Sequence, residues 1–240
     1  MTDAPDENRL LAAMDRTWTP LGIQRFGPWT LRRDNGGGKR VTAASTDSPV
    51  NAANIAEAEA EMLAIGQNPL FRLSAENPAL DADLTALGYR IVDPVLIYSI
   101  AAADLVWINP EPLDAIPCDE PLERMQEIWA AGGFPEPRIE VMRRTPGPKT
   151  YLFCRFRDKP AGAAFVAIDG EIAMLHALTV IPGLRRHGIG RRTLARAAIW
   201  ALENQAKHLT LVTTADNQPA QKLFAGLGMQ IAGRYHYRMK

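Results

Sequence analysis

The residues best suited to chemistry lie in one stretch, Leu178-Thr179-Val180-Ile181-Pro182-Gly183-Leu184-Arg185-Arg186-His187-Gly188-Ile189-Gly190-Arg191. An apolar strand enters a basic, glycine-punctuated turn, and the turn opens into a helix. From Arg191 to about Asn204 helix formers dominate, with Leu194, Ala198, Ile199 and Leu202 on one face. Gly188 and Gly190 remove side chains where a ligand would lie against backbone, and they permit positive φ. The first N–H groups of the helix point into the turn and carry its partial positive charge. Arg185, Arg186, Arg191 and Arg192 add full charges. This combination suits a pyrophosphate. Other glycine-rich phosphate motifs do not fit: the chain has no Gly-x-x-x-x-Gly-Lys-Ser/Thr run, and Thr193 stands where a dinucleotide fingerprint needs its third glycine.

Arg185-x-x-Gly188-x-Gly190, following Val180-x-Pro182, resembles the Arg/Gln-x-x-Gly-x-Gly/Ala signature of the GCN5-related N-acetyltransferases (GNAT). Downstream, Asn217-x-x-Ala220-x-x-Leu223-Phe224-x-x-Leu227-Gly228-Met229 is similar to the Asn-x-x-Ala-x-x-Leu-Tyr-x-x-x-Gly-Phe segment of that family. The resemblance implies a mixed α/β (α+β) acyl-CoA N-acyltransferase fold, a twisted, split sheet with helices on both faces. It also implies acetyl-CoA as co-substrate, no metal, and direct attack by a neutral amine in a ternary complex. The coenzyme contacts it implies are the backbone of Leu178, Thr179 and Val180 for the pantetheine arm. The turn of Arg185, Arg186, His187, Gly188, Ile189, Gly190 and Arg191 would take the pyrophosphate, and Asn217 and Phe224 would lie along the coenzyme arm. The N–H of Val180 would polarise the thioester carbonyl.

Proton transfer is less fully specified. An alkylammonium is almost wholly protonated at neutral pH, so a base is expected. His176 precedes Val180 by four positions, where many relatives carry a glutamate, and strand alternation would put both on one face. An imidazole titrates in the right range, although a histidine packed in the sheet would look the same in sequence. Asp169 and Glu171 are further candidates acting through water. The family's usual tyrosine acid falls at Phe224, which has no proton to give. Tyr235 or Tyr237 on the last strand, a water, or no dedicated acid remain as alternatives, as does lost catalysis.

Several elements must hold these residues. Helices are expected at Glu7–Arg16, Asn54–Gly66, Pro78–Leu87, Leu122–Ala131 and Gln218–Leu227. Strands are expected at Trp29–Arg33 and Arg40–Ser45, joined by Asn35-Gly36-Gly37-Gly38 as a hairpin turn. Further strands fall at Leu70–Leu73, Tyr89–Val92, Val95–Ala101, Thr150–Phe156, Ala161–Ile168, Glu171–Val180, Leu209–Thr213 and Met229–Met239. The proline-bearing segment Asp104–Asp119 reads as a linker. Leu70-Phe71-Arg72-Leu73, Asn77-Pro78-Ala79-Leu80, Leu87-Gly88-Tyr89 match Leu209-Thr210-Leu211-Val212, Asn217-Gln218-Pro219-Ala220, Leu227-Gly228-Met229 in order. This is similar to the tandem arrangement known in the family. Residues 1–108 would be a degenerate copy without the arginine turn, and 109–240 the copy that binds acyl-CoA.

A chain of 240 residues suffices for one large or two small domains, and its formal net charge of +0 gives no case for general nucleic-acid binding. Cys118 and Cys154 lack metal-ligand spacing and read as structural. Met1-Thr2-Asp3-Ala4-Pro5-Asp6-Glu7 is acidic without an apolar core, unlike a signal peptide, and no run has membrane-spanning length, so a soluble, cytoplasmic protein is expected. The reading as a whole is an acetyltransferase acting on a primary amine of a small molecule. The alternatives are a non-catalytic acyl-CoA-binding module and an enzyme acting on a protein or peptide amine. The acceptor would meet Trp129, Gly132, Gly133, Phe134, Arg138 and the Tyr235–Arg238 strip, with Arg138 able to face an acidic acceptor. A hairpin edge or the split sheet could serve a homodimer.

Overall fold

The computed structural model describes residues 4–240, so residues 1–3 of the acidic N-terminal segment lie outside it. Helix α1 (Glu7–Thr17) starts where the Asp6 carboxylate accepts the Arg9 N–H at 2.7 Å, an N-cap that satisfies one otherwise free donor. Leu10, Ala13, Met14 and Thr17 recur along its buried face. The first hairpin joins β1 (Gly22–Phe26) to β2 (Trp29–Arg33) through Gly27-Pro28. The hairpin expected at Asn35–Gly38 does not form. That stretch leads instead into a single 3-10 turn, Lys39–Val41, and only Ser45–Thr46 (β3) pairs with β2. The reason is close approach: a Cβ on Gly37 would lie 2.6 Å from a Val141 methyl and 2.5 Å from the Asp34 carboxylate. The glycines dock one segment against another rather than reversing a strand.

Helix α2 (Ala52–Ala64) follows with a reciprocal Asn51–Asn54 cap. Then come β4 (Leu70–Ser74), α3 (Pro78–Ala86) and β5 (Arg90–Ala101). β5 runs unbroken through Asp93-Pro94, with Asp93 at φ 44, so the two strands expected there are one. The expected linker is structured too: Ala102–Ile108 forms a 3-10 helix and β6 (Ala115–Cys118) pairs with the next strand. Helix α4 (Glu123–Ala131) is followed by α5 (Glu136–Arg144), which the sequence did not announce because Pro135 and Pro137 read as breakers. Proline is nonetheless compatible with a helix's first turn, where its missing N–H costs nothing. The chain continues through β7 (Lys149–Phe156), β8 (Lys159–Asp169), β9 (Ile172–Val180), α6 (Ile189–Glu203), β10 (His208–Thr214), α7 (Gln218–Ala225) and β11 (Gln230–Met239).

One eight-stranded sheet, ordered β4-β11-β5-β10-β9-β8-β7-β6, spans both halves of the chain. Its only parallel pair among the described residues is β9 with β10. β5 lies between β10 and β11, and β11 lies between β5 and β4, so the halves exchange their last strands. The exchange is symmetric in register. The shift along the chain that carries Leu87-Gly88 onto Leu227-Gly228 also carries the pair Val95–Thr214 onto Tyr235–Ser74. Under it Ser99–Thr210 likewise maps onto Met239–Leu70, and Val95 and Tyr235 face each other.

Helices cover both faces of this mixed sheet. On one, Leu194, Ala197, Ala198 and Ala201 of α6, Phe224 of α7 and Leu105 pack on Leu152, Ala164, Val166, Ala173 and Leu175. On the other, Trp18 with Ile128 and Trp129 of α4 and Ile139 and Met142 of α5 cover Tyr151, Ala163, Phe165 and Ala167. Beside them Leu10, Ala13 and Met14 of α1 cover Ile172, Met174, Tyr235 and Tyr237. Cys154 is buried and Cys118 half-buried, both as free thiols. Among the described residues no helix is long and apolar enough to cross a membrane, and no group of side chains is arranged to hold a metal ion.

Candidate active site

β9 and β10 run parallel only from Ile172–His208 to Leu175–Leu211, and beyond that they part. A bulge begins the separation. Ala177 sits at φ 54, and the β8–β9 register shifts between Ala163 and Phe165. The bulge is held open from outside the sheet, for the Trp129 indole donates to the Ala177 carbonyl at 2.9 Å. The Thr179 hydroxyl donates to the same oxygen at 3.2 Å. The resulting cleft encloses about 850 Å³, within the range of small-molecule sites.

The bulge also decides which side chains share a face. Ala173 and Leu175 pack toward α6, whereas Ile172 and Met174 pack toward α1. After Ala177 the order reverses: Leu178 packs with the α6-side core and Val180 beside Ile189. His176 therefore does not share the face of Leu178 and Val180, contrary to the uninterrupted alternation expected from sequence. The Ile181 N–H donates to the Ala161 carbonyl at 2.9 Å. Antiparallel alternation then turns the N–H and C=O of Val180 away from β8 and into the cleft. Arg185 Nε accordingly meets the Val180 carbonyl at 3.4 Å.

The glycine–arginine turn closes one end of the cleft. A 3-10 turn, Pro182–Leu184, leads to Arg186 at φ 68 and Gly188 at φ 78, and α6 begins at Ile189. Its first internal bond runs from the Arg192 N–H to the Gly188 carbonyl at 3.0 Å. The N–H groups of Ile189, Gly190 and Arg191 are thus left for a ligand. Arg185, Arg186 and Arg191 are exposed and form no ion pair among the described residues, while Arg192 turns aside to Asp114 at 3.1 Å. Gly190 lies against α7, where a Cβ would come 3.0 Å from Leu223. Free N–H groups, bare backbone and unpaired guanidiniums fit a pyrophosphate. His187 is not brought in: its Nδ1 lies 2.9 Å from the Arg185 carbonyl and its ring packs on Phe156. Asn217 caps α7 through the Ala220 N–H at 3.3 Å and also lines the cleft. Phe224 forms cleft wall with its ring 5.3 Å from Tyr98, a packing role.

His176 lines the cleft but is 3% exposed, and both its nitrogens are engaged. Arg40 Nη1 donates to Nδ1 at 3.0 Å, and since a guanidinium can only donate, Nδ1 is the acceptor. Nε2–H then donates to the Thr17 hydroxyl at 3.0 Å, which itself donates to the Ala13 carbonyl at 2.7 Å. Burial, reinforced by Arg40, pushes the imidazole well below its ordinary pKa. The ring is neutral and its lone pair is occupied. Asp169 and Glu171, the other proposed bases, sit at the far end of β9 from Val180. Asp169 is paired with Arg9 and Arg16, and Glu171 with Lys207.

A side pocket of about 200 Å³ opens off the cleft, sharing Arg40, Val212, Thr213 and Thr214 with it. Tyr235 and Tyr237 line this pocket, both raised in pKa by burial, and the Tyr235 hydroxyl donates to Met14 Sδ at 3.4 Å. Arg138 lines it as well. Of the other acceptor candidates, Gly132 and Phe134 line the cleft, while Trp129 is wholly buried behind it. His236 and Arg238 point to the opposite face of β11, onto Asp81. Sequence pattern marks neither Thr17 nor Trp18 for this site, and for Arg40 the one local signal is the Gly36-Gly37-Gly38 run before it.

Comparison with known proteins agrees with this geometry. Residues 116–229 match the sequence model described as "Acetyltransferase (GNAT) family". Over the full length of both proteins, the chain is 23% identical to "Uncharacterized N-acetyltransferase YobR" from Bacillus subtilis (strain 168). A GCN5-related N-acetyltransferase structure from Kribbella flavida superposes with a TM-score of 0.74 at 19% identity, covering 99% of this chain and 96% of the other. A tandem GNAT protein from the clavulanic acid biosynthesis pathway superposes at 0.58 with 15% identity, covering 95% and 86%.

Proposed function

We propose that this chain, an acyl-CoA-dependent N-acetyltransferase whose residues 116–229 belong to the GNAT family, moves an acetyl group from acetyl-CoA to a primary amine of a small molecule. The observation that carries this reading is the parting of β9 and β10 into a cleft that ends at the free N–H groups of α6. In it, Arg185, Arg186 and the α6 N-terminus hold the pyrophosphate. The edges of Leu178 and Val180 that face away from β8 pair with the pantetheine amides. The Val180 N–H donates to the thioester oxygen as negative charge develops there, a contribution of about 2.7–4 kcal/mol in other acyl-transfer sites.

Among the described residues lining the cleft there is no carboxylate, and His176 has no free lone pair. The reacting species is then the fraction of acceptor that binds as free amine. Its nitrogen attacks the carbonyl carbon, the carbon–sulfur bond breaks, and the proton lost from nitrogen passes through water to the departing thiolate. Tyr235 serves as acceptor-pocket wall, and Phe224 leaves the coenzyme thiol without a dedicated acid. His176 acts as a positioning residue that orients Arg40.

The symmetric register of the exchanged strands, and the likeness to a tandem GNAT structure, support reading residues 1–108 as a degenerate second copy beside the coenzyme-binding 109–240. In this reading the first copy contributes Arg40, Thr17 and Trp18 to the acceptor side.

Thermal stabilisation by acetyl-CoA and CoA, with CoA release measured over a panel of primary amines, tests the assignment. Stabilisation with turnover is expected; stabilisation with no amine accepted would favour a binding module, and no stabilisation would remove the enzyme reading. For His176→Gln we expect a several-fold rise in acceptor KM, unchanged acetyl-CoA affinity, and an unchanged pH profile that climbs with the acceptor's own ionisation. A variant profile that loses an acid limb present in the unmodified chain, at or below the ordinary imidazole value of about 6.5, would restore His176 as the base.

A further inference from the structure

The side pocket carries positive charge that the chain does not balance. Arg40 enters it from the 3-10 turn and Arg138 from α5, and among the described residues neither forms an ion pair. Several other shielded arginines do have acidic partners: Arg32 and Arg72 share Asp15, Arg144 meets Asp34, and Arg238 meets Asp81. Neutral groups hold Arg40 and Arg138 in place. Arg40 is fixed by His176 Nδ1 and stacks 4.5 Å from the Trp18 ring centroid. Arg138 lies 4.8 Å from the Phe134 centroid and rests on Gly38, where a Cβ would come 3.2 Å from its Nε. The single acid on the pocket wall, Asp93, is taken by Lys39 at 2.7 Å. Guanidiniums offer planar paired donors that match an oxyanion.

We propose that the side pocket binds an oxyanion group of the acceptor, so that the substrate is a small primary amine carrying a carboxylate or phosphate, with Arg40 and Arg138 as the specificity-determining residues. The shared wall of Arg40 and Val212–Thr214 places the acidic end in the side pocket and the amine in the cleft. An amino acid of modest length has this form. Gly38 belongs to the same arrangement, since any side chain there would displace Arg138.

This inference rests on the acetyltransferase reading, so each protein is first checked for stabilisation by acetyl-CoA. Rates of CoA release, expressed per concentration of free amine, are then compared within pairs that differ in the acidic group: glycine, β-alanine, γ-aminobutyrate and a set of α-amino acids, each against its carboxamide, and phosphoethanolamine against ethanolamine. We expect the acids to exceed their neutral partners at least tenfold in kcat/KM, mostly through KM. The leading series distinguishes carboxylate from phosphate. Arg138→Gln is expected to reduce the preference about tenfold with KM for acetyl-CoA unchanged, and Arg138→Lys to restore part of it. Neutral partners used as well as the acids would overturn the proposal, as would an acid preference that survives Arg138→Gln and Arg40→Gln alike. A protein that binds acetyl-CoA yet accepts none of the acids would overturn it too. Failure to bind acetyl-CoA would instead count against the enzyme reading.

Discussion

Gly190→Glu is expected to fold normally and to lose stabilisation by acetyl-CoA. A Cβ at this position comes 3.0 Å from Leu223 Cδ2, the movable end of a side chain, so a shift of a few tenths of an ångström admits it. A glutamate in the first turn of a helix is favoured by the helix dipole, and it replaces a glycine of poor helix propensity. The fold therefore has little reason to weaken. The ligand does, because the new carboxylate lies among the N–H groups of Ile189, Gly190 and Arg191 and beside Arg185 and Arg186, where the pyrophosphate is placed. At about a hundred times its dissociation constant a ligand adds roughly 2.7 kcal/mol to a two-state protein. The unmodified chain should show a shift of that order, and the variant none. Gly190→Ala, with the contact but not the charge, should lose much less. Full stabilisation of Gly190→Glu would place the pyrophosphate elsewhere.

That turn was legible in sequence because its chemistry is local. Backbone freedom, free N–H groups and basic side chains are all fixed by neighbouring residues, so Arg185-x-x-Gly188-x-Gly190 states its own conformation and charge. The acceptor side is assembled from distant parts. Arg40 reaches His176 only because Gly37 lets its loop press against Val141, a contact with no signature in either segment. The glycine run that makes this approach possible reads equally well as a hairpin turn. The face of His176 was misjudged for a related reason. Strand periodicity assumes an unbroken ladder, and Ala177 breaks it with a positive φ that nothing in an alanine announces. Helix α5 was hidden by prolines that a first turn accommodates. The order of strands and helices was read largely correctly, whereas the exchange of β5 and β11 depends on pairing between halves, which no local pattern records.

Asp15→Asn should produce the largest loss of stability, and it should reach the acceptor side first. Arg72 Nη1 and Nη2 bind the Asp15 carboxylate at 2.6 and 2.9 Å, and Arg32 Nη2 binds it at 2.6 Å. The two arginine side chains are 7% and 4% exposed, so their charges depend on this one partner. Breaking a buried pair by removing one member costs about 3–5 kcal/mol. Because Asp15 is itself 22% exposed, the lower end, about 3 kcal/mol, is the figure expected from urea midpoints. Burial pushes the Asp15 carboxyl up, but Arg72 and Arg32 outweigh it and hold the group below its ordinary value. A lowered carboxyl stabilises the fold fully above its unfolded pKa, about 3.9, and that contribution is lost as pH falls through the folded value. The unmodified chain should weaken below about pH 4 through this group, and the Asn variant should lack that component. The consequence for function follows from what α1 carries. Asp15 ties α1 to β2 and β4, and the same helix ends in Thr17, with Trp18 next, which hold His176 and Arg40. Loosening it should raise the acceptor KM while the coenzyme cradle on α6, which makes none of these contacts, keeps its affinity for acetyl-CoA. Equal losses at both sites would mean that the two halves of the cleft open together, and that Asp15 stabilises the sheet as a whole rather than the acceptor wall.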